Sequence, residues 1–160
     1  MLSLDARSES HEDAGELDAA ESDLRRAIEI SPDYRYGKIG LAEVLVLQSR
    51  SADALPIVQS IPESYVRRYG LALVYQALGR KAEADAALQE LLAKDSEVAP
   101  VEIANVFAMR GDRPSALDWL QQDYDRRLYG IMIAKTSPLL RSLAHEPRFI
   151  ALMQKVVPNQ

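Results

Sequence analysis

The sequence predicts an all-α fold, a right-handed α-α superhelix (solenoid) of about 3.5 antiparallel helix pairs with capping helices at the C-terminal end. Three observations predict it. Small and large apolar residues recur in register roughly every 30 to 34 positions. Ile39-Gly40-Leu41-Ala42-Glu43-Val44-Leu45 aligns with Tyr69-Gly70-Leu71-Ala72-Leu73-Val74-Tyr75, and both align with Val101-Glu102-Ile103-Ala104-Asn105-Val106-Phe107. Downstream of each block an alanine precedes a large aliphatic residue by four positions: Ala54 with Val58, Ala84 with Leu88, and Ala116 with Leu120. A half copy at the front supplies Ala20, Leu24, Ala27 and Pro32 in the same order. Each such unit has an apolar face that only its neighbours can cover, so the units must stack.

The elements follow in order. Residues 16–30 form an amphipathic helix with Leu17, Ala20, Leu24, Ala27 and Ile28 on one side, and Ser31-Pro32-Asp33 stops it. Residues 34–47 and 52–60 form the next antiparallel pair, closed by Pro62. Residues 64–78 and 81–93 make the third unit around Gly79-Arg80, where Gly79 is suited to the left-handed conformation that ends a helix. Residues 101–109 and 115–126 make the fourth, with Asp112 capping its second helix and Pro114 in that helix's first turn. Residues 138–145 and 147–157 read as two short capping helices that turn Leu140, Leu143, Phe149, Leu152, Met153 and Val156 back onto the stack. Arg148 and Lys155 are the last segment's only cations, which favours capping over an interfacial membrane helix. At the front, Arg7, Ser8 and His11 stand where packing residues belong. Residues 1–14 are therefore read as an acidic, truncated or degenerate N-terminal segment, 15–127 as the repeat array and 128–160 as the capping region.

Composition narrows the class of function. The net charge of -5 is concentrated in residues 1–30, where nine acidic side chains face three arginines, and the remainder is nearly neutral. Arg67-Arg68 and Arg126-Arg127 are isolated pairs without interleaved aromatics, so nucleic-acid binding is disfavoured. The acidic run reads as a solvated face. With no cysteine, disulfides, thiolate catalysis and cysteine metal sites are excluded together. No secretory leader and no run of 18 apolar residues is found, so a soluble, cytoplasmic chain is expected.

Chemistry-bearing patterns are sparse. His11 and His145 are far apart in sequence, with no second ligand at helical spacing. Glu12, Asp13 and Glu16 lack the alternating ligands and central glycine of a calcium loop. Gly37-Lys38-Ile39-Gly40 departs from the order GxxxxGK[ST] of a phosphate-binding loop. Ser137 has no recognisable histidine and carboxylate arrangement. No enzyme activity, cofactor, metal or catalytic residue is expected.

With these columns in place, the chain resembles the tetratricopeptide repeat over about residues 15–127, a motif pairing a large-small-aromatic set on its first helix with Ala-x3-large on its second. It departs from that pattern where Lys38 and Arg68 fill the tryptophan slot, where Pro62 ends the second unit early, and where the third unit's proline is displaced to Pro100. The C-terminal third extends the likeness through Ile103-Ala104-Asn105-Val106-Phe107-Ala108-Met109-Arg110-Gly111-Asp112, Ala116-Leu117-Asp118-Trp119-Leu120 and Pro147-Arg148-Phe149-Ile150-Ala151-Leu152-Met153. This order is similar to the C-terminal repeat region of bacterial multidomain regulators, in which such repeats follow an adenylate-cyclase-like, winged-helix or kinase module. The likeness implies the scaffold part of a longer protein, or a stand-alone relative.

The resemblance also implies a concave groove lined by the first helix of each pair. Its inward positions are Tyr36, Ile39, Glu43 and Leu47, then Tyr69, Leu73 and Gln76, then Val101, Asn105 and Met109. A largely apolar groove with a few hydrogen-bonding groups suits a helix or extended peptide of a partner protein. It does not suit an acidic chain terminus, because Ile39, Tyr69 and Val101 stand where some relatives place a carboxylate clamp. The expected function is a protein-interaction scaffold. The alternative is a homo-oligomerisation module or structural spacer, in which a second copy fills the groove or the open N-terminal end.

Overall fold

The computed structural model describes residues 4–156, with side chains described from residue 13 onward. Every regular element among these residues is helical. In chain order they are α1 (Leu4–Ile30), α2 (Arg35–Leu47), α3 (Ser51–Gln59), α4 (Tyr65–Ala77), α5 (Lys81–Asp95), α6 (Pro100–Met109), α7 (Arg113–Asp125), α8 (Ile131–Ala134), a 3-10 helix (Pro138–Leu143) and α9 (Pro147–Val156). Helices α2 and α3, α4 and α5, and α6 and α7 form three hairpins. The hairpins stack through their first helices, α2 on α4 and α4 on α6, and α1 covers α2. This is the α-α superhelix that the repeat spacing requires.

Within each hairpin the two helices meet at alanines. Ala42, Ala72 and Ala104 on the first helices, and Ala54, Ala84 and Ala116 on the second, are all wholly buried. Between units the approach is as close at Gly70, where a β-carbon would lie 2.7 Å from Val58 Cγ1 and 2.8 Å from Ile39 Cδ1. The turns use the expected chemistry. Gly79 and Gly111 take φ of 72° and 78° just past α4 and α6, where a left-handed residue ends a helix at least cost. Asp112 caps α7, accepting from Ser115 N at 3.2 Å and from Ser115 Oγ at 2.7 Å, with Pro114 in the first turn. Ser64 caps α4 through the Arg67 amide.

The departure at Arg68 acquires a structural reason. Its guanidinium makes a two-pronged pair with Asp95 at the end of α5, Nε to Oδ2 at 2.6 Å and Nη2 to Oδ1 at 2.9 Å. A planar fork fixed on a buried carboxylate ties the two helices of the hairpin where the repeat pattern has tryptophan.

Two differences from the sequence reading stand out. Helix α1 begins at Leu4, not near residue 16, because nothing from Leu4 to Ile30 breaks it: the stretch has no proline and one glycine, Gly15. The side chains of Arg7, Ser8, His11 and Glu12 lie outside the described ones, as does all of Val157. The second difference concerns the chain after α7. Leu140, Leu143, Phe149, Leu152 and Met153 are buried against α6 and α7, closing that end of the stack, with Val156 partly buried beside them. Yet residues 130–141 also run onto the face made by α2, α4 and α6. Gly130 lies against Val101, Leu139 joins the apolar cluster containing Leu45, Leu73 and Ile103, and Arg141 pairs with Asp13 of α1 at 2.7 Å.

The alanine contacts yield a direct test. Ala72→Leu is expected to lower stability by about 1 to 3 kcal/mol through overpacking. Ala77→Leu, on the exposed side of the same helix, is expected to change it by less than about 0.5 kcal/mol. Urea unfolding of the two variants, with equal slopes and separated midpoints, checks both values.

Candidate functional site

The first helices bring one polar residue from each hairpin together. Tyr69, at the centre of α4, donates its hydroxyl to Glu43 Oε1 on α2 at 2.6 Å, and Asn105 Nδ2 on α6 donates to the same hydroxyl oxygen at 3.0 Å. The tyrosine has one hydroxyl proton, and it is engaged in the hydrogen bond to the carboxylate. The asparagine must therefore present its amide NH2 to Tyr69, which leaves Asn105 Oδ1 buried with no partner. Asn105 is 6% exposed and Tyr69 is buried.

This chain lines a cavity of about 200 Å³ shared by α2, α4, α6 and Ile133. Tyr36, Ile39 and Glu43 come from α2, Tyr65 and Tyr69 from α4, Val101, Glu102 and Asn105 from α6. Tyr36 and Tyr65 place their hydroxyls 3.4 Å apart at its edge. Glu43 also lines a larger groove of about 840 Å³ between α1, the C-terminal end of α2 and residues 137–141. Asp13, Glu16 and Asp18 contribute carboxylates to that groove, Arg50 and Arg141 guanidiniums. Arg50 is held by Glu21 at 2.8 Å and by Asp53, and Arg141 by Asp13.

Burial controls the protonation of the site. Desolvation pushes the Glu43 carboxyl up from 4.5 to about 7, and repulsion by Glu102 adds to the shift while the Tyr69 hydrogen bond opposes it. Glu102 is raised by its own burial, with a backbone hydrogen bond opposing and Asp123 contributing. Tyr69 is raised well above the usual phenol range, first by burial and then by the adjacent Glu43, so its hydroxyl remains a donor.

The ten positions implied by the groove resemblance are distributed unequally. Tyr36, Ile39, Glu43, Tyr69, Val101 and Asn105 converge on the smaller cavity. Leu47 instead lines the larger groove. Gln76 lies in a separate recess with Gly79, Lys81 and Arg110. Met109 is partly buried against the core. Leu73 is wholly buried and offers no surface, because it sits in the cluster that Leu139 joins. Ile39, Tyr69, Val101 and Asn105 are likewise buried, so they meet the cavity at its floor and walls and do not stand on an open face.

Sequence reasoning missed Tyr65, Glu102 and Ile133. Tyr65 stands four residues before Tyr69, the spacing that puts two side chains on one helix face, and could have been found by it. Glu102 shares its column with Gly40 and Gly70, which masks its direction. Ile133 reaches the site from residues far along the chain, and no local pattern marks it.

The tetratricopeptide repeat family matches residues 3–34 and 67–93. The second match spans most of the α4–α5 hairpin; the first covers α1, which runs as one helix where a whole repeat has two. Together with three stacked hairpins, the match supports a tetratricopeptide-repeat protein, a fold that is typically a non-catalytic scaffold and generally mediates protein–protein interaction. No curated protein and no solved structure matches the chain.

Glu43 gives the site a pH signature. Its pKa is higher folded than unfolded, so the native state holds the extra proton between about pH 4.5 and 7 and stability falls as pH rises through that window. The stabilising contribution is complete below about 4.5 and lost above about 7. Glu43→Gln keeps an acceptor for Tyr69 and removes the ionisation. It is expected to match the wild type near pH 4.5 and to exceed it by about 1 to 3 kcal/mol at pH 8 in urea unfolding. Parallel pH profiles for the two proteins would contradict this.

Proposed function

We propose that this chain is an interaction scaffold that holds a segment of a partner protein on the face built from α2, α4 and α6. The observation that carries the proposal is the pair of hollows meeting at Glu43, one about 840 Å³ and the other about 200 Å³, on the inner face of the stack. Apolar side chains remain open beside them: Tyr36 is 50% exposed and Ile133 66%. Exposed aromatic and aliphatic groups around partly buried polar ones are the composition of a peptide-binding groove. The chain's own residues 130–141 already occupy part of this face. A partner segment therefore lies alongside them, between α1 and the 3-10 helix. The residue order of the C-terminal third favours a setting in a larger, cytoplasmic bacterial regulator, with this chain as its non-catalytic part.

The test compares wild type with a Tyr36→Glu, Ile133→Glu double variant in cross-linked capture from the source cells, quantified by mass spectrometry. Both substitutions fall on exposed positions, so unchanged helicity and melting temperature are expected. A partner recovered with wild type and depleted at least about tenfold with the variant, a loss worth about 1.4 kcal/mol or more, is the expected result. Equal recovery would remove this face as the binding surface.

A further inference from the structure

The smaller cavity has an uneven inventory of hydrogen-bonding groups. Glu43, Glu102 and the amide of Asn105 line it, and no lysine or arginine does. Of the two Glu43 oxygens, Oε1 accepts the Tyr69 hydrogen bond, and no further bond to Glu43 is made among the described residues. Asn105 Oδ1 is fixed as an acceptor by the order of the chain and has nothing to accept. The site thus keeps open acceptor capacity on Glu43 and Asn105, while the hydroxyls of Tyr36 and Tyr65 face each other at its edge and the nearest cation, Arg35, lies over the Tyr36 ring outside the lining. The rest of its lining is different in kind: Tyr36, Tyr65, Ile39 and Ile133 contribute aromatic and aliphatic side chains.

We infer that this cavity receives the side chain of a lysine from the partner segment, its methylenes against Tyr36 and Ile133 and its ammonium toward Glu43, Glu102 and Asn105 Oδ1. The inference rests on the groove reading above and specifies the partner's chemistry. Size supports it, because about 200 Å³ is below the roughly 300 to 1,000 Å³ of small-molecule pockets and matches the end of one side chain. Charge supports it too. An ammonium is compact and carries three donors, whereas a carboxylate would meet two like charges and a neutral amide would leave them unneutralised. Aliphatic and tyrosine side chains around carboxylates suit a long aliphatic stem with a charged tip. A quaternary ammonium would gain the ring contacts but has no N–H for Asn105 Oδ1.

The experiment is a titration followed by NMR of the isotope-labelled full chain at pH 7.5. The probes are acetyl-Ala-Lys-Ala-amide, its Gln and Glu counterparts, n-butylammonium and tetramethylammonium. Saturable shifts of the Asn105 side-chain amide and of the Tyr36, Tyr65 and Tyr69 ring signals are expected with the lysine peptide and n-butylammonium. The Gln and Glu peptides should bind at least about tenfold more weakly, and Glu43→Gln should weaken the lysine peptide by a similar factor. Because that variant is expected to be the more stable protein at this pH, lost binding could not be ascribed to unfolding. Equal binding of the Gln peptide, or no effect of Glu43→Gln, overturns the inference. So does n-butylammonium binding without the lysine peptide, which would make the site one for free amines, or tighter binding of tetramethylammonium, which would make it an aromatic cage. The titration needs no partner. If it fails while the capture experiment succeeds, the groove reading survives with another partner chemistry; if the reverse occurs, the cavity keeps its specificity and the apolar rim loses its role.

Discussion

The close approach of paired helices at alanine is the constraint on which the rest of the structure depends. Ala42, Ala72 and Ala104 are wholly buried on one side of each hairpin, and Ala54, Ala84 and Ala116 on the other. With side chains this small, each hairpin is thin enough for the next to pack at a regular offset. The offset fixes which residues of α2, α4 and α6 turn toward the core and which toward the inner face. Tyr69 can reach both Glu43 and Asn105 because three successive first helices lie side by side at that spacing. A bulky residue at one alanine would push its helix outward and break a contact two helices away, which is how strain travels in a close-packed repeat.

Much of this was legible in the residues and some was not, and the division has a physical origin. The hairpins, the glycine ends at Gly79 and Gly111 and the Asp112 cap are local events, and local events leave local marks. The burial of Ala72 or Leu88 follows from spacing alone because neighbouring units are built alike. The length of α1 was missed because polar residues can extend a helix without any apolar repeat to announce it. Leu73 looked inward on the repeat pattern, and its helix does face that way. It is wholly buried in an apolar cluster that Leu139, 66 residues later, also joins, and no periodicity encodes that membership. The same holds for Ile133 and for the Asp13–Arg141 pair, which joins residues 128 apart.

At the level of the site, six of the ten inward positions converge on one cavity because they occupy equivalent places on consecutive first helices. Of the other four, three lie toward helix ends, and Leu73 shares the column of Glu43 and Asn105 but is wholly buried in the core. Leu47 and Gln76 lie near helix ends, where the stack opens into different hollows, and Met109 and Leu73 are taken up by the core. The inner face of the repeat is thus not one surface. Its hollows are separate, and the chain's own residues 130–141 contribute to the lining of the two that meet at Glu43.

Position 73 shows what the stack itself demands of its column. Glu43, Leu73 and Asn105 are equivalent residues on consecutive first helices, and Leu73 is wholly buried and apolar. An aliphatic side chain therefore fits this column. Glu43 and Asn105 are costly by comparison, since burial disfavours the ionised carboxyl of the first and strands an acceptor of the second. Tyr69 relieves part of that cost by bonding to both, but its one hydroxyl cannot satisfy either completely. A stack maintained only for its own stability would be better served by repeating the leucine. Polar groups at two of three equivalent positions, with unfilled bonding capacity beside a hollow, are in keeping with the partner contact proposed above.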